Sequence, residues 1–228
     1  SSHITDSSML PPKAIYFSCP TCHARHIDHQ SPSGNTFGMR QWSDGKQDAP
    51  MLPEEPYLQK CRHCRNFFWL EDGEWEDEFY PPPLKVRLTG TAPPERNYKV
   101  SVTTIPEYLQ ALDSGVVRDR DDELYLRLRI LWRYNDRARD HKALSLGPVG
   151  QKRWDENNAA LLDLFKDDKN AYLRFICVEL LRYKGQFKES MKILSRMRNP
   201  ELKYLVPQYK WAIRMRHQGV FECLNREN

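Results

Sequence analysis

Two short stretches carry the residue types best suited to chemistry, Cys19-Pro20-Thr21-Cys22 and Cys61-Arg62-His63-Cys64. Two residues between cysteines let one tight turn aim both sulfurs at a single point, so two such turns can supply four thiolates to one tetrahedral ion, zinc before any other. A shell made of Cys19, Cys22, Cys61 and Cys64 leaves no open position for a substrate, so one zinc ion held there is structural. The 38 residues between Cys22 and Cys61 exceed the usual spacing of a zinc ribbon. An inserted loop must therefore leave the metal and return to it.

The neighbouring titratable residues fit that reading. His23, His26, His29 and His63 are expected outside the ligand shell, because four cysteines already saturate tetrahedral zinc; a mixed shell using His26 is the alternative. Arg25, Lys60, Arg62 and Arg65 flank the cysteines, where they screen the two net negative charges of a four-thiolate zinc centre. Trp42, Phe67, Phe68, Trp69 and Trp75 are expected to fill the thin core of the ribbon rather than to stack on bases.

No catalytic residue stands out. The chain has no Gly-rich phosphate loop, Gly-x-Ser-x-Gly elbow or His-Glu-x-x-His motif. A thiol-disulfide exchanger sets its Cys-x-x-Cys at a helix N-terminus in a βαβ context, whereas these motifs follow strand-like segments and come as a matched pair. A thiol-disulfide or zinc-dependent enzyme is thus the weakest of three functional readings. Cys177 lies on the apolar face of a helical pattern and is expected to be buried and inert, while Cys223, near the end of the chain, is expected to be accessible.

The elements that must position these residues are legible from pattern. Ala14-Ile-Tyr-Phe-Ser18 and Asn66-Phe-Phe-Trp-Leu70 read as strands beside the two knuckles, and Thr36–Trp42 as a short third strand. Ser31–Asn35 and Ser43-Asp-Gly-Lys46 are turn sequences, and three prolines in Ala49–Pro56 forbid a central strand or helix there. Thr104-Ile-Pro-Glu107 is a capping box with proline in the first turn, and Gly115 stands where a C-cap glycine belongs. Leu124, Leu128 and Leu131 with Tyr125 and Trp132 form one helical stripe; Leu161, Leu164 and Phe165 mark another. Leu173, Ile176, Cys177, Leu180 and Leu181 give the cleanest stripe, broken at Gly185 and resumed by Phe187, Met191, Leu194 and Met197. A last helix carries Leu202, Leu205, Val206, Tyr209, Ala212 and Ile213.

These elements divide the 228 residues into a flexible tail over 1–14, a four-cysteine ribbon over 15–80, a Pro-rich connector over 81–103 that has room for an extra strand, and a helical domain over 104–228. The fold class expected is α+β, a small β-rich zinc ribbon followed by an all-α domain of helical hairpins. A ribbon of that size is marginal without a metal staple. At 39% hydrophobic and 29% charged, with no apolar run approaching the ~18 residues that span a bilayer, the chain reads as a cytoplasmic protein with no membrane partner. Paired Cys-x-x-Cys motifs without a larger disulfide framework fit a reducing compartment.

Charge is unevenly spread. Residues 1–80 carry 7 Lys/Arg against 12 Asp/Glu, with the surplus concentrated in Glu71-Asp-Gly-Glu-Trp-Glu-Asp-Glu78, while residues 171–228 carry 12 Lys/Arg against 5 Asp/Glu. Lys203, Lys210, Arg214, Arg216 and His217 recur along the final helix, which makes nucleic-acid binding a second functional reading.

Taken together, the four-cysteine ribbon with its Trp-Ser-Asp-Gly and Ala-Pro-Met-Leu-Pro insert, and the Tyr-Leu-x-Ala-Leu and Glu-Leu-Tyr-Leu-Arg-Leu-Arg helices, resemble uncharacterised bacterial proteins that carry a zinc ribbon before a tetratricopeptide-like helical region. Residues 171–198, a helix ending in Gly185 and followed by Gln-Phe-Lys-Glu, carry the tetratricopeptide-like part of that likeness, as one hairpin without a repeated period. The resemblance implies a structural zinc on Cys19, Cys22, Cys61 and Cys64 and no known reaction. The leading functional expectation is a zinc-stabilised interaction protein whose partner is another protein.

Overall fold

A computed structural model describes residues 13–30, 37–50, 57–75, 98–99, 104–142 and 146–224. Small β-sheets precede a helical region, as the α+β expectation holds. Contacts divide the chain into two compact units, Ser1–Phe37 with Pro50–Val102 and Gly38–Ala49 with Thr103–Asn228. The expected unbroken ribbon over 15–80 is thereby corrected: residues 38–49 leave it and belong with the helices.

In the ribbon unit, β1 (Lys13–Ser18) pairs antiparallel with β2 (Arg25–Gln30) across the first knuckle, and β5 (Leu58–Lys60) pairs antiparallel with β6 (Phe67–Trp69) across the second. A 3-10 turn over Leu70–Asp72 leads into β7 (Glu74–Trp75), which adds to the free edge of β1. Part of the acidic run is therefore built into a sheet; Glu76–Glu78 lie outside the described residues. β8 (Tyr98–Lys99) runs parallel to β2, so the expected connector does contain an extra strand. The rest of that connector, like the turn at 31–35 and the prolines at 53 and 56, lies outside the described residues. So does the expected tail up to residue 12, but Lys13 and Ala14 open β1. The core of this unit is Phe17, Phe68 and Leu70 packed around Cys19 and Cys61. Phe68 and Trp69 are buried as expected.

The helical unit contains six α-helices among its described residues: α1 (Ile105–Asp113), α2 (Arg120–Arg139), α3 (Gly147–Phe165), α4 (Ala171–Tyr183), α5 (Phe187–Ser195) and α6 (Val206–Arg214). Thr104 caps α1 by accepting the Glu107 backbone N–H, as the capping box requires. Gly115 follows with φ +82°, a conformation that suits glycine. Asp119 caps α2, and the acidic Asp121, Asp122 and Glu123 sit where the positive end of its dipole favours them.

The core face of α2 differs from the expected stripe. Leu126, Ile130, Leu131 and Tyr134 are buried, while Leu124, Leu128 and Trp132 are only partly so. The same face carries buried Asn135 and Arg139 towards its C-terminus, polar residues that a hydrophobic count passes over. α3 begins earlier than its apolar residues indicated, and Asn157 donates to the Arg127 carbonyl at 3.0 Å, stitching α3 to α2. α4 is buried almost all round, from Phe175 to Leu180. α4 and α5 form a helical hairpin that turns at Gly185, φ +72°, and Ser190 seals it by donating to the Val178 carbonyl at 2.9 Å. A 3-10 turn over Pro200–Leu205 leads into α6, and Leu202, Leu205, Tyr209 and Ile213 pack on Phe175, Val178 and Leu194 of that hairpin.

The segment that crosses from the knuckle insert is held among these helices by a hairpin. β3 (Arg40–Trp42) pairs antiparallel with β4 (Gln47–Asp48) on one side and with β9 (Glu222–Cys223) on the other. The short third strand foreseen near Trp42 exists, but its partners lie in the helical unit. At its tip Ser43 and Asp44 are wholly buried. Ser43 donates to the Glu179 carboxylate at 2.8 Å, and its own carbonyl accepts the Tyr209 hydroxyl. Asp44 accepts from Arg139 and Asn135, and the Trp132 indole N–H donates to its carbonyl at 3.0 Å. Gly45 has φ +82°, and a Cβ there would meet Ile176 Cδ1 at 3.2 Å, so both its backbone and its lack of a side chain are used.

Candidate metal centre

Each knuckle closes by the same backbone rule. The Cys19 N–H donates to the Ala24 carbonyl at 2.9 Å and the Cys61 N–H to the Asn66 carbonyl at 2.8 Å; His23 and Arg65, four residues beyond the first cysteine of each pair, donate back to Cys19 and Cys61 at 2.9 Å. His23 and Arg65 both take left-handed backbone, φ 60° and 69°. Two unrelated tetrapeptides thus fold into one shape, because each must turn both sulfurs inward over two intervening residues.

The consequence is one cluster. The sulfurs of Cys19, Cys22, Cys61 and Cys64 all lie within 4.8 Å of one another, so the four expected residues are brought together and can hold a metal ion. Cys19 Sγ is 3.8 Å from Cys64 Sγ and Cys22 Sγ is 3.5 Å from Cys61 Sγ, so both contacts cross from one knuckle to the other. Zinc–sulfur bonds of about 2.3 Å in a tetrahedron separate sulfurs by about 3.8 Å. A disulfide needs about 2.05 Å, and all four cysteines are free thiols.

Backbone N–H groups are aimed at the sulfurs. Thr21 N–H donates to Cys19 Sγ and Cys64 N–H to Cys61 Sγ, each at 3.4 Å. At Cys22 burial acts to raise the thiol, but the Ala24 N–H, His63 and the Cys61 and Cys64 side chains outweigh it and bring it down to about 6. Burial pushes Cys61 up to about 12 and also raises Cys64. The Cys22 thiolate is therefore favoured while those of Cys61 and Cys64 are opposed, an opposition that a bound cation would relieve.

Three of the four histidines can be placed around this cluster. His26 is fully buried and stacks on Phe17, ring centres 5.7 Å apart, with Phe68 tilted against it at 6.1 Å; burial holds its imidazole below the ordinary range. Among the described residues the metal-ligating group contains the four cysteines without His26. His23 is exposed and lies 3.3 Å from Glu74. His63 is exposed at the knuckle tip, and the side chain of His29 lies outside the described residues.

Elsewhere, Cys177 is buried as expected and burial raises its thiol to about 11. Cys223 is a correction: pairing of β9 with β3 buries it, and burial raises its thiol to about 12. The basic residues foreseen on the last helix are exposed or half-buried. Lys203 sits in the 3-10 turn, Lys210 and Arg214 on α6, and Arg216 lies 5.3 Å over the Phe187 ring. Trp211 beside them is 55% exposed. Sequence reasoning missed Asp44, Glu179, Arg139 and Arg182: Asp44 sits in a turn and the other three on α2 and α4, and each taken alone reads as an ordinary surface charge. No helix among the described residues is long and apolar enough to cross a membrane. Comparison of the chain with protein-family models, with curated proteins and with solved structures finds no match.

Proposed function

We propose that the chain is a zinc-stabilised protein-interaction protein, an adaptor or regulatory component in which the zinc is structural and the helical unit is the partner-docking surface. The observation that carries the metal half is the set of four thiols drawn from two like-shaped knuckles, with cross-knuckle sulfur separations close to those of a zinc tetrahedron. Four protein sulfurs complete the coordination, so this ion organises structure and is not an open Lewis acid. The ribbon, whose apolar core is only a handful of residues around Cys19 and Cys61, draws its folding energy from that ion.

The docking half rests on what the helical unit leaves at its surface. Two buried charge contacts, Ser43–Glu179–Arg182 and Asp44–Arg139, fix its interior, while Trp211, Met215 and Tyr172 stand more than half exposed. Aromatic and methionine side chains in the open are characteristic of protein contact surfaces. Nucleic-acid binding is the second reading, favoured by the exposed Lys203, Arg214 and Arg216 around Trp211.

Metal analysis and affinity capture of the purified full chain test the proposal together. One zinc per chain and a protein that co-purifies after nuclease treatment are the expected results. Iron in the centre, zinc far below one per chain, or recovery of nucleic acid in place of protein would overturn it.

A further inference from the structure

Between the end of α5 and the start of α6 the chain makes a sharp turn around a cleft of about 550 Å³. Met197, Val206 and Pro207 give it an apolar floor, and Arg198, Lys203 and Lys210 edge it; no carboxylate lines it. Arg198 is fixed in place, its guanidinium donating to the carbonyls of Ser195 and Met197 at 2.6 and 3.0 Å at the C-terminal end of α5. Neither Lys203 nor Lys210 has an ion-pair partner among the described residues. A second cleft of about 530 Å³, between α1, α2 and α3, is different in kind: Asp113, Glu123 and Glu156 share it with Arg127 and Arg153. Arg127 is already committed there to Glu123 at 2.7 Å, so that cleft answers its own charge.

We infer that the α5–α6 cleft is a docking site for an acidic peptide segment of a partner protein, one that inserts a large apolar side chain and carries Asp or Glu on either side of it. The inference rests on the docking reading given above and names the site and the partner's chemistry. Two lysines without an ion-pair partner among the described residues, with Arg198 beside them, select an anionic ligand, and the floor selects one with an apolar side chain to bury. A phosphate backbone satisfies the first requirement and gains nothing from the second, since phosphate tracking is carried by charge along a strand. An acidic peptide with a Leu, Met or aromatic anchor satisfies both. The cleft volume falls in the range of about 300–1,000 Å³ typical of ligand pockets, more than enough for one or two such side chains.

The test is selection of a random 12-residue peptide display library on the intact, zinc-loaded chain, followed by binding measurements on the enriched peptides and on a 12-nucleotide oligo(dT). Enriched peptides should place one or two large apolar residues among several acidic ones. Lys203→Glu with Lys210→Glu should weaken their binding by roughly 10-fold or more, and 0.5 M salt should weaken it as well. Pro207→Glu should act in the same direction through the floor, while Arg214→Glu, outside the cleft lining, should leave binding near the parent value. Unaltered thermal melting of each variant would show that the effects are local. Enrichment of neutral or basic peptides, binding that is indifferent to the lysine changes, oligo(dT) binding tighter than any peptide, or self-association lost on those changes would overturn the inference. A co-purifying protein still captured by the Lys203→Glu, Lys210→Glu chain would overturn this site while leaving the docking reading standing. Capture of no protein by the parent chain would end both.

Discussion

Arg139 holds Asp44 by two parallel hydrogen bonds, Nη1 to Oδ1 at 3.1 Å and Nη2 to Oδ2 at 2.7 Å, across 95 residues of sequence and with both side chains buried. Asn135 adds a third donor to the same carboxylate at 2.9 Å, and Asp136 takes the Arg139 Nε at 3.0 Å. Alongside it, Arg182 clamps Glu179 through both carboxylate oxygens and reaches the carbonyls of His217 and Gly219. Burial acts to raise the Glu179 carboxyl, and Arg182, Tyr183 and Ser43 oppose it. A buried pair of this kind specifies position more than it stabilises, because desolvation offsets most of the Coulomb gain. Here it fixes where the insert between the two knuckles must sit.

Breaking that pair gives a first prediction. Asp44→Ala leaves Arg139 buried with Asp136 as its remaining anionic partner among the described residues, and removal of one member of a buried pair costs roughly 3–5 kcal/mol. The helical unit should lose that much stability in chemical denaturation, while the zinc content of the chain stays at its parent value. Gly45→Ala should destabilise in the same direction through backbone strain and the approach of Ile176. Loss of zinc in Asp44→Ala, with helical stability untouched, would refute the assignment of residues 38–49 to the helical unit.

The sequence made the metal cluster legible because a knuckle is local: four residues decide the turn, and the ligands are named by their type. The helices were legible by period, most clearly in α4 and α5. What it hid was the destination of Trp42-Ser43-Asp44-Gly45. Those residues read as a turn, and they are one, since Gly45 N–H closes on the Trp42 carbonyl at 2.9 Å. Nothing local says that the turn is buried 88 to 178 residues away, against Trp132, Arg139, Glu179 and Phe221. A polar loop that enters a core needs polar groups waiting for it, and those groups, Asn135, Arg139, Glu179 and Arg182, look like surface polar residues when each helix is taken alone. The same long-range pairing explains Cys223, which closeness to the end of the sequence made look accessible and β3 covers.

Metal removal should separate the two units. Chelation is expected to abolish protection of the β1, β2, β5 and β6 amides in hydrogen exchange, because the ribbon core is organised around the cysteines. Ser43 and Phe221 amides should stay protected, since their bonds at 2.9 and 3.0 Å lie within the helical unit. Loosening the ribbon lengthens the tether on the 38–49 segment, which costs it only ~0.6 kcal/mol per doubling. Loss of protection at Ser43 in step with the ribbon would show instead that the metal governs the insert.

Alkylation should proceed in two stages. With metal bound, the six thiols are expected to resist iodoacetamide near neutral pH: four as metal thiolates, Cys177 and Cys223 because burial covers them and raises them to about 11 and about 12. A chelator should open four sites, and denaturant the last two, read as mass increments on the intact chain. Early labelling of Cys223 would mean that the β3–β9 pairing is not maintained in solution.

Acid stability supplies the last prediction. Asp122 lies below the ordinary carboxylate range because the Arg118 guanidinium, at 2.8 Å, and the Arg118 backbone N–H both bind its charged form against the opposing effect of burial. Glu222 is lowered chiefly by its hydrogen bond to Arg40, and Asp168 by the Asn170 backbone N–H and then Arg120. A carboxyl whose folded value is depressed binds its proton more readily in the unfolded chain, so it stabilises the fold above its unfolded value and that stabilisation is lost as pH falls through the folded one. The stabilisation these three carboxylates supply to the helical unit should therefore be held down to about pH 4 and lost progressively below, the region set by ordinary values of about 3.9 for Asp and 4.3 for Glu. Asp122→Asn should lower stability at neutral pH and make the acid limb shallower, because one of the titrating groups is gone. The check is the urea midpoint of α-helical circular dichroism for parent and variant at several pH values between 3 and 7, with zinc omitted from both so that metal release does not contribute. A variant whose acid limb runs parallel to the parent's would show that Arg118 does not hold Asp122 in solution.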